Sequence, residues 1–186
     1  AVVKFAIPQI WAISPLACTG CIAIGMTNSA FRFVGPLYAE AIGLNLASIA
    51  TFISLGVIGG AVLQYPLGTL SDKYDRRWVL VATTIGAFLA GLFLSFFAGT
   101  NTTLVYIGIF IFGAFSLPLY SLSAAHANDR ANEDQYVLLA AGLMFFYGIG
   151  AMAGPPVSSL LLGLFGPTSL FMFTSAVHWL LVFATL

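Results

Sequence analysis

The chain has 186 residues, of which 60% are hydrophobic and only 6% are Asp, Glu, Lys or Arg, and its formal net charge is zero. A soluble domain needs about a quarter of its residues charged to cover its surface, so this composition excludes a water-soluble globular protein. The mean hydropathy of +1.03 makes lipid the solvent for most of the surface. Zero net charge implies neither a nucleic-acid footprint nor a basic membrane-surface patch. The sequence holds no phosphate-binding glycine loop, no Ser/His/Asp set in a strand–turn context and no metal-ligand cluster. No enzyme, cofactor or nucleic-acid partner is expected.

A bilayer core about 30 Å thick needs about 20 apolar residues in helical form, and helix is required because lipid offers no partner to an open backbone. Before the first such stretch, residues 1–12 mix apolar residues with Lys4, Pro8 and Gln9. They read either as a segment lying along the interface, with Trp11 at headgroup depth, or as an unstructured linker. Six stretches then qualify, at about 13–38, 46–70, 78–98, 103–125, 136–162 and 168–186. The fold expected is therefore an all-α integral membrane protein, a bundle of six transmembrane helices.

The first span carries Cys18 and Cys21 in a C-x-x-C spacing. An apolar helix suits two small buried residues better than a redox pair or metal site. Asn45 is placed to cap the second span and Pro167 to start the sixth. Lys4, Lys73, Arg76, Arg77 and Arg130 all fall on the side shared by the amino terminus and the second–third and fourth–fifth loops. The opposite side has no Lys or Arg, so both termini are expected to be cytoplasmic.

The strongest local pattern is Gly68-Thr69-Leu70-Ser71-Asp72-Lys73-Tyr74-Asp75-Arg76-Arg77, read as a helix end at Gly68 followed by a charged turn. Positive-inside charge explains the cations but not their order with Gly and Asp. That order resembles the G-x-L-[AS]-D-[KR]-x-G-R-[RK] signature of the major facilitator superfamily, with Asp75 standing where the family normally has Gly. Gly35-Pro36-Leu37-Tyr38 is similar to the family's first-helix exit, and the run Gly150 to Pro155 is similar to its fifth-helix G-x-x-x-G-P motif. Pro118-Leu119-Tyr120 through His126 to Asp129 resembles a YcaD-like bacterial branch.

The resemblance implies one six-helix half of a twelve-helix transporter in the bacterial inner membrane, with the substrate site between two halves. The lead-in is similar to the segment joining the halves, so the carboxy-terminal half is expected, with the amino-terminal assignment left open. The resemblance also implies a cytoplasmic gate built from Gly68, Asp72, Lys73, Arg76 and Arg77. Asp72 would contact a neighbouring helix N-terminus, and Arg76 or Arg77 would pair between helices. Gly150, Gly154 and Pro155 would form a helix-packing motif. The partners implied are the bilayer, a small solute and the other half, in the same polypeptide or in a homodimer.

Charge at membrane depth costs roughly 2.5–3.5 kcal/mol on insertion scales and tends to be functional. Arg32 is the one Lys, Arg, Asp or Glu well inside a predicted span. At 100° per residue it shares a helix face with Cys21, Gly25, Asn28 and Gly35. Asn28 and Arg32 either line the cavity and bind an anionic or polar solute, or Arg32 snorkels outward or pairs with Glu40. On the fourth span Gly113, Ser116, Tyr120 and Ser123 recur at helical spacing, with Pro118 expected to bend the helix. Ser116 and Tyr120 are candidate cavity residues that could equally glue helices, and Gln64 on the second span is a further one. His126 and Asp129 read as coupling residues or as cap and gate contacts. His178 reads as peripheral. The function expected is secondary transport by alternating access; the rival is a membrane interaction subunit that transports nothing.

Overall fold

Ser14 and Pro15 set the first boundary of the fold. In a computed structural model, which describes residues 7–97 and 99–185, a short helix α1 (Ile7–Ile13) meets a long helix α2 (Pro15–Ala41) at 106°. Ser14 Oγ accepts the Ala17 N–H at 3.2 Å, and Pro15, which has no N–H to lose, opens α2. The first span therefore starts and ends a little later than the hydropathy predicts. Of the expected lead-in, residues 1–6 with Lys4 lie outside the described residues. Residues 7–13 turn back over the bundle, and the fully buried Ile10 sits on Gly142 of the fifth span.

The remaining spans are α3 (Leu46–Lys73), α4 (Arg76–Phe97), α5 (Thr102–Asn128), α6 (Glu133–Phe165) and α7 (Thr168–Thr185). All five are by themselves long and apolar enough to cross a bilayer, and α2 with α1 makes the sixth. No strand occurs among the described residues. The expected span ends at Ala98 and Leu186 fall on residues that are not described. Asn45 caps α3 through its Oδ1 on the Ser48 N–H at 3.0 Å, and Asn101 caps α5 in the same way.

Two helices depart from regular geometry, both where the sequence predicts polar faces. α2 takes a π turn over Ala30–Val34, which inserts one residue and rotates everything beyond it. α5 breaks at Leu117 and Pro118, because proline supplies no N–H to the preceding turn.

Glycine seams hold the bundle together. α2 lies on α6 so closely that a Cβ on Gly25 would run into the Tyr147 carbonyl. Conversely, a Cβ on Gly150 would meet the Ile22 carbonyl and one on Gly154 the Met26 carbonyl. α3 lies on α5 in the same manner, Gly113 against the Gly56 carbonyl and Gly59 against the Phe110 carbonyl. Lipid is as apolar as leucine, so such close backbone packing takes the place of hydrophobic burial. Gly68, by contrast, is not the helix end that the motif suggests. α3 continues to Lys73, Tyr74 N–H still bonds the Leu70 carbonyl at 3.0 Å, and Gly68 faces open space. The helix stops one turn later because Asp75 caps the next one.

An aromatic knot of Phe31, Tyr38, Phe52, Phe112 and Phe171 fills the end of the bundle away from that turn. Its ring centroids lie 4.8 to 6.5 Å apart, mostly edge to face, the favoured arrangement. It fixes the π turn through Phe31.

Candidate functional site: an open cleft and a charged turn

α2, α3, α5 and α6 leave between them a cleft of about 520 Å³ that is open to the outside of the bundle. Asn28 and Arg32 contribute from α2, Gly60 and Gln64 from α3, Tyr120 from α5 and Tyr147 from α6. Of the predicted cavity residues, the structure thus gathers Asn28, Arg32, Gln64 and Tyr120 on one surface.

Arg32 sits in the π turn, nine residues before the end of α2 and hence roughly 13 Å inside it. Its side chain has no ion pair or hydrogen bond among the described residues, and Glu40 does not claim it. Gln64 Nε2 donates to Ser121 Oγ at 3.0 Å, which holds α3 to the second half of α5. Tyr120 packs its ring edge on Tyr147, with centroids 5.4 Å apart, and points its hydroxyl at Met144 Sδ at 3.8 Å.

Ser116 is not brought to the cleft. It is fully buried behind Asn28, with Oγ 3.3 Å from Asn28 Oδ1 and 3.4 Å from His178 Nε2. The break at Pro118 is the cause, since a face counted at 100° per residue does not carry across it. Ser123 is likewise buried, against Gly20 of α2. His178 is not peripheral: it is 1% exposed, in the centre of the bundle. Met144 and Tyr147 line the cleft without a sequence signal, because an aromatic or Met on an apolar helix reads as packing material.

At the other end of α3, the charged turn closes on the end of α5. The Arg76 guanidinium pairs with Asp72 at 2.9 Å and with Asp129 at 2.5 Å, and its Nη1 donates to the buried Ser71 Oγ at 3.2 Å. Arg76 is 23% exposed and its carboxylates 66% and 54%, so solvent screens these pairs. Arg77 Nε donates to the Thr185 carbonyl at the end of α7. Lys73 is exposed. Asp72 takes the Arg76 side chain rather than helix N–H groups, because it stands in the last turn of α3, before the chain turns; the helix N-terminus goes instead to Asp75, whose Oδ1 accepts the Arg77 N–H at 2.9 Å. No described non-glycine residue has a positive φ, so this turn needs no left-handed glycine and Asp75 fits it as a cap. His126 is buried beside Asp129, its Nε2 without a partner among the described residues.

An all-helical bundle with a half-open cleft and a charged turn between its second and third spans is the architecture of a multi-pass membrane protein. A family model described as Major Facilitator Superfamily matches residues 16–186, and the chain belongs to that superfamily. An uncharacterized MFS-type transporter of Yersinia pestis (strain Pestoides F) is 29% identical over 162 residues, 87% of this chain and 41% of the relative. The uncharacterized MFS-type transporter YcaD of Escherichia fergusonii is 27% identical over 165 residues, 89% of this chain and 42% of that protein. Among solved structures, the POT family transporter PepTSo matches with a TM-score of 0.78 at 14% identity, over 98% of this chain and 37% of that one, a likeness of fold. The chain spans about two fifths of the length of the curated relatives it matches, and is a YcaD-like half-domain.

Proposed function

We propose that this unit is one half of a secondary transporter that carries a small anionic or strongly polar solute across the bacterial inner membrane by alternating access. The observation that carries the reading is the cleft, open on one side and holding an intramembrane arginine with no protein partner. A charge so placed is costly unless something else meets it. The relatives are named as transporters, and their extra length leaves room for a second unit of this size. That unit, the opposite half of the same polypeptide or a second copy, would close the cleft at the exposed sides of α3 and α6. We take this chain as the carboxy-terminal half, with both termini cytoplasmic so that the Arg76 cluster faces the cytoplasm.

The test is thermal stabilisation of the intact polypeptide by benzoate, malate and phenyl phosphate, with benzamide as the neutral control. A ligand at a hundredfold excess over its Kd stabilises by about 2.7 kcal/mol. At least one of the anions should raise Tm and enter proteoliposomes, and benzamide should not. If none does so, and neither a second half nor a homodimer exists, the interaction-subunit reading takes over.

In this reading the Arg76 cluster is a gate. Asp129→Asn should cost less than about 1 kcal/mol of stability, since exposed pairs contribute little. The same small energy shifts a two-state gate about fivefold. Maleimide labelling of a cysteine placed at Ser121 should therefore speed up with Tm almost unchanged. A large fall in Tm with unchanged labelling would make the cluster a brace and not a gate.

A further inference from the structure

A single polar chain runs from the sealed core of the bundle to the cleft wall. It begins at His178 on α7, 1% exposed, with the Phe112 ring against the imidazole at 6.0 Å between centroids. His178 Nε2 lies 3.4 Å from Ser116 Oγ on α5, and Ser116 Oγ lies 3.3 Å from Asn28 Oδ1 on α2. Asn28 keeps 6% of its surface and is one of the walls of the cleft.

Counting hydrogens gives this chain a direction. A serine hydroxyl has one hydrogen, and a neutral imidazole has one N–H and one bare nitrogen. Ser116 gives its hydrogen to Asn28 Oδ1, so its contact with His178 requires that Nε2 carry the imidazole hydrogen and donate it. Nδ1 is then the bare nitrogen; it makes no hydrogen bond of normal geometry among the described residues, although the Thr174 carbonyl lies one turn back. The Asn28 carbonyl oxygen is turned inward. Its amide nitrogen has no partner among the described residues and is not among the sealed polar atoms, so it is left to the cleft. Moving the imidazole hydrogen to Nδ1 would reverse the chain: Ser116 would donate to His178 and accept from Asn28, and an amide oxygen would face the cleft beside Arg32.

We propose that His178 is a positioning residue of the cleft: through Ser116 it fixes the Asn28 amide with its NH2 outward. The wall then presents only donors from Asn28 and Arg32, a pairing that accepts carboxylate or phosphate oxygens and turns away cations. This rests on the reading of the cleft as the solute site.

Nitrogen NMR of the intact polypeptide, labelled at histidine and reconstituted in lipid, tests it without a ligand. The His178 signal, assigned by its loss in His178→Gln, should show a protonated Nε2 and a bare Nδ1. Ser116→Ala should shift it. Asn28→Ala, two bonds of the chain away, should shift it too, because Ser116 is then released to donate inward. Ser123→Ala, a buried serine of the same helix outside the chain, should leave it unmoved. A hydrogen on Nδ1, held by the Thr174 carbonyl one turn back, would overturn the proposal, as would a signal indifferent to Asn28→Ala. In the benzoate assay His178→Gln, whose amide can still donate to Ser116, should bind within about twofold of the unaltered protein. His178→Leu, checked for an unchanged elution profile, removes the donor to Ser116, so that Ser116 can accept from the Asn28 NH2 and turn the amide over. Benzoate should then bind about tenfold more weakly, an orientation preference of one hydrogen bond; equal binding by the two would overturn the positioning role. If benzoate stabilises none of the proteins, the solute reading of the cleft fails while the nitrogen signal still decides the relay.

Discussion

Gly150→Leu is expected to abolish the accumulation of folded protein, whereas Gly148→Leu, two residues earlier on the same helix, is expected to be tolerated. A Cβ at position 150 would enter the Ile22 carbonyl and press on the Met26 N–H, while a Cβ at 148 meets nothing within 4 Å. The obstacle at 150 is backbone, which cannot rotate away as a side chain can. α2 and α6 would have to part along their length and give up the close contacts that replace hydrophobic burial inside lipid. Even Gly150→Ala should cost about 1–3 kcal/mol by overpacking, and Gly148→Ala should gain up to about 1 kcal/mol from helix propensity. Melting temperature and the monodisperse fraction on size exclusion read both. Gly25 lies in the same seam against the Tyr147 carbonyl. Gly25→Ala combined with Gly150→Ala should therefore cost less than the sum of the two, since once the helices have separated for one Cβ they make room for the other. Equal melting temperatures for the 148 and 150 alanine variants would remove the seam as the organising contact.

How much of this was legible beforehand differs by feature. The spans were, because lipid imposes a length and a composition that no local detail overrides; Asn45 also reads as a cap because the cap is a local bond. The seams were half legible. Gly150 and Gly154 announce a groove by their spacing, but Gly56, Gly60 and Gly68 follow the same rule of four and only the first two are packed against α5. Gly59, outside that rule, meets the Phe110 carbonyl, because which glycines face a neighbour depends on where the neighbour lies. The cleft was legible where polar residues stand on an apolar helix, at Asn28, Arg32 and Gln64. It was illegible at Ser116, because the break at Pro118 interrupts the helical count. His178 could not be placed either, since one histidine on an apolar helix carries no mark of the serine 62 positions earlier that receives it. The charged-turn residues are written in order in the sequence, and Asp129 reads there as a coupling residue or a cap and gate contact, yet that it pairs with Arg76, 53 positions earlier, follows from folding alone.

Arg32→Ala in the intact protein is expected to reduce anion binding about tenfold to a hundredfold while leaving Tm unchanged or raising it. The two effects have opposite signs for a physical reason. A guanidinium that meets a carboxylate or phosphate makes charge-assisted hydrogen bonds, each contributing about 1.5–3 kcal/mol. Without a ligand, the same group is a charge held roughly 13 Å inside a membrane helix, with no ion pair among the described residues. Removing it relieves a cost and breaks no ion pair or hydrogen bond among the described residues. Arg32→Lys separates charge from shape. Lysine keeps the charge on a flexible stem but lacks the planar fork that grips two oxygens at once, so binding should fall by about tenfold and not vanish. Had Arg32 served the fold by reaching Glu40, alanine would lower Tm and lysine would restore it, with anion binding following stability. The comparison needs only two readouts on three proteins, Tm without ligand and the shift with benzoate, malate or phenyl phosphate. A fall in Tm for Arg32→Ala with an undiminished anion shift would take Arg32 out of the cleft's chemistry and return it to the architecture.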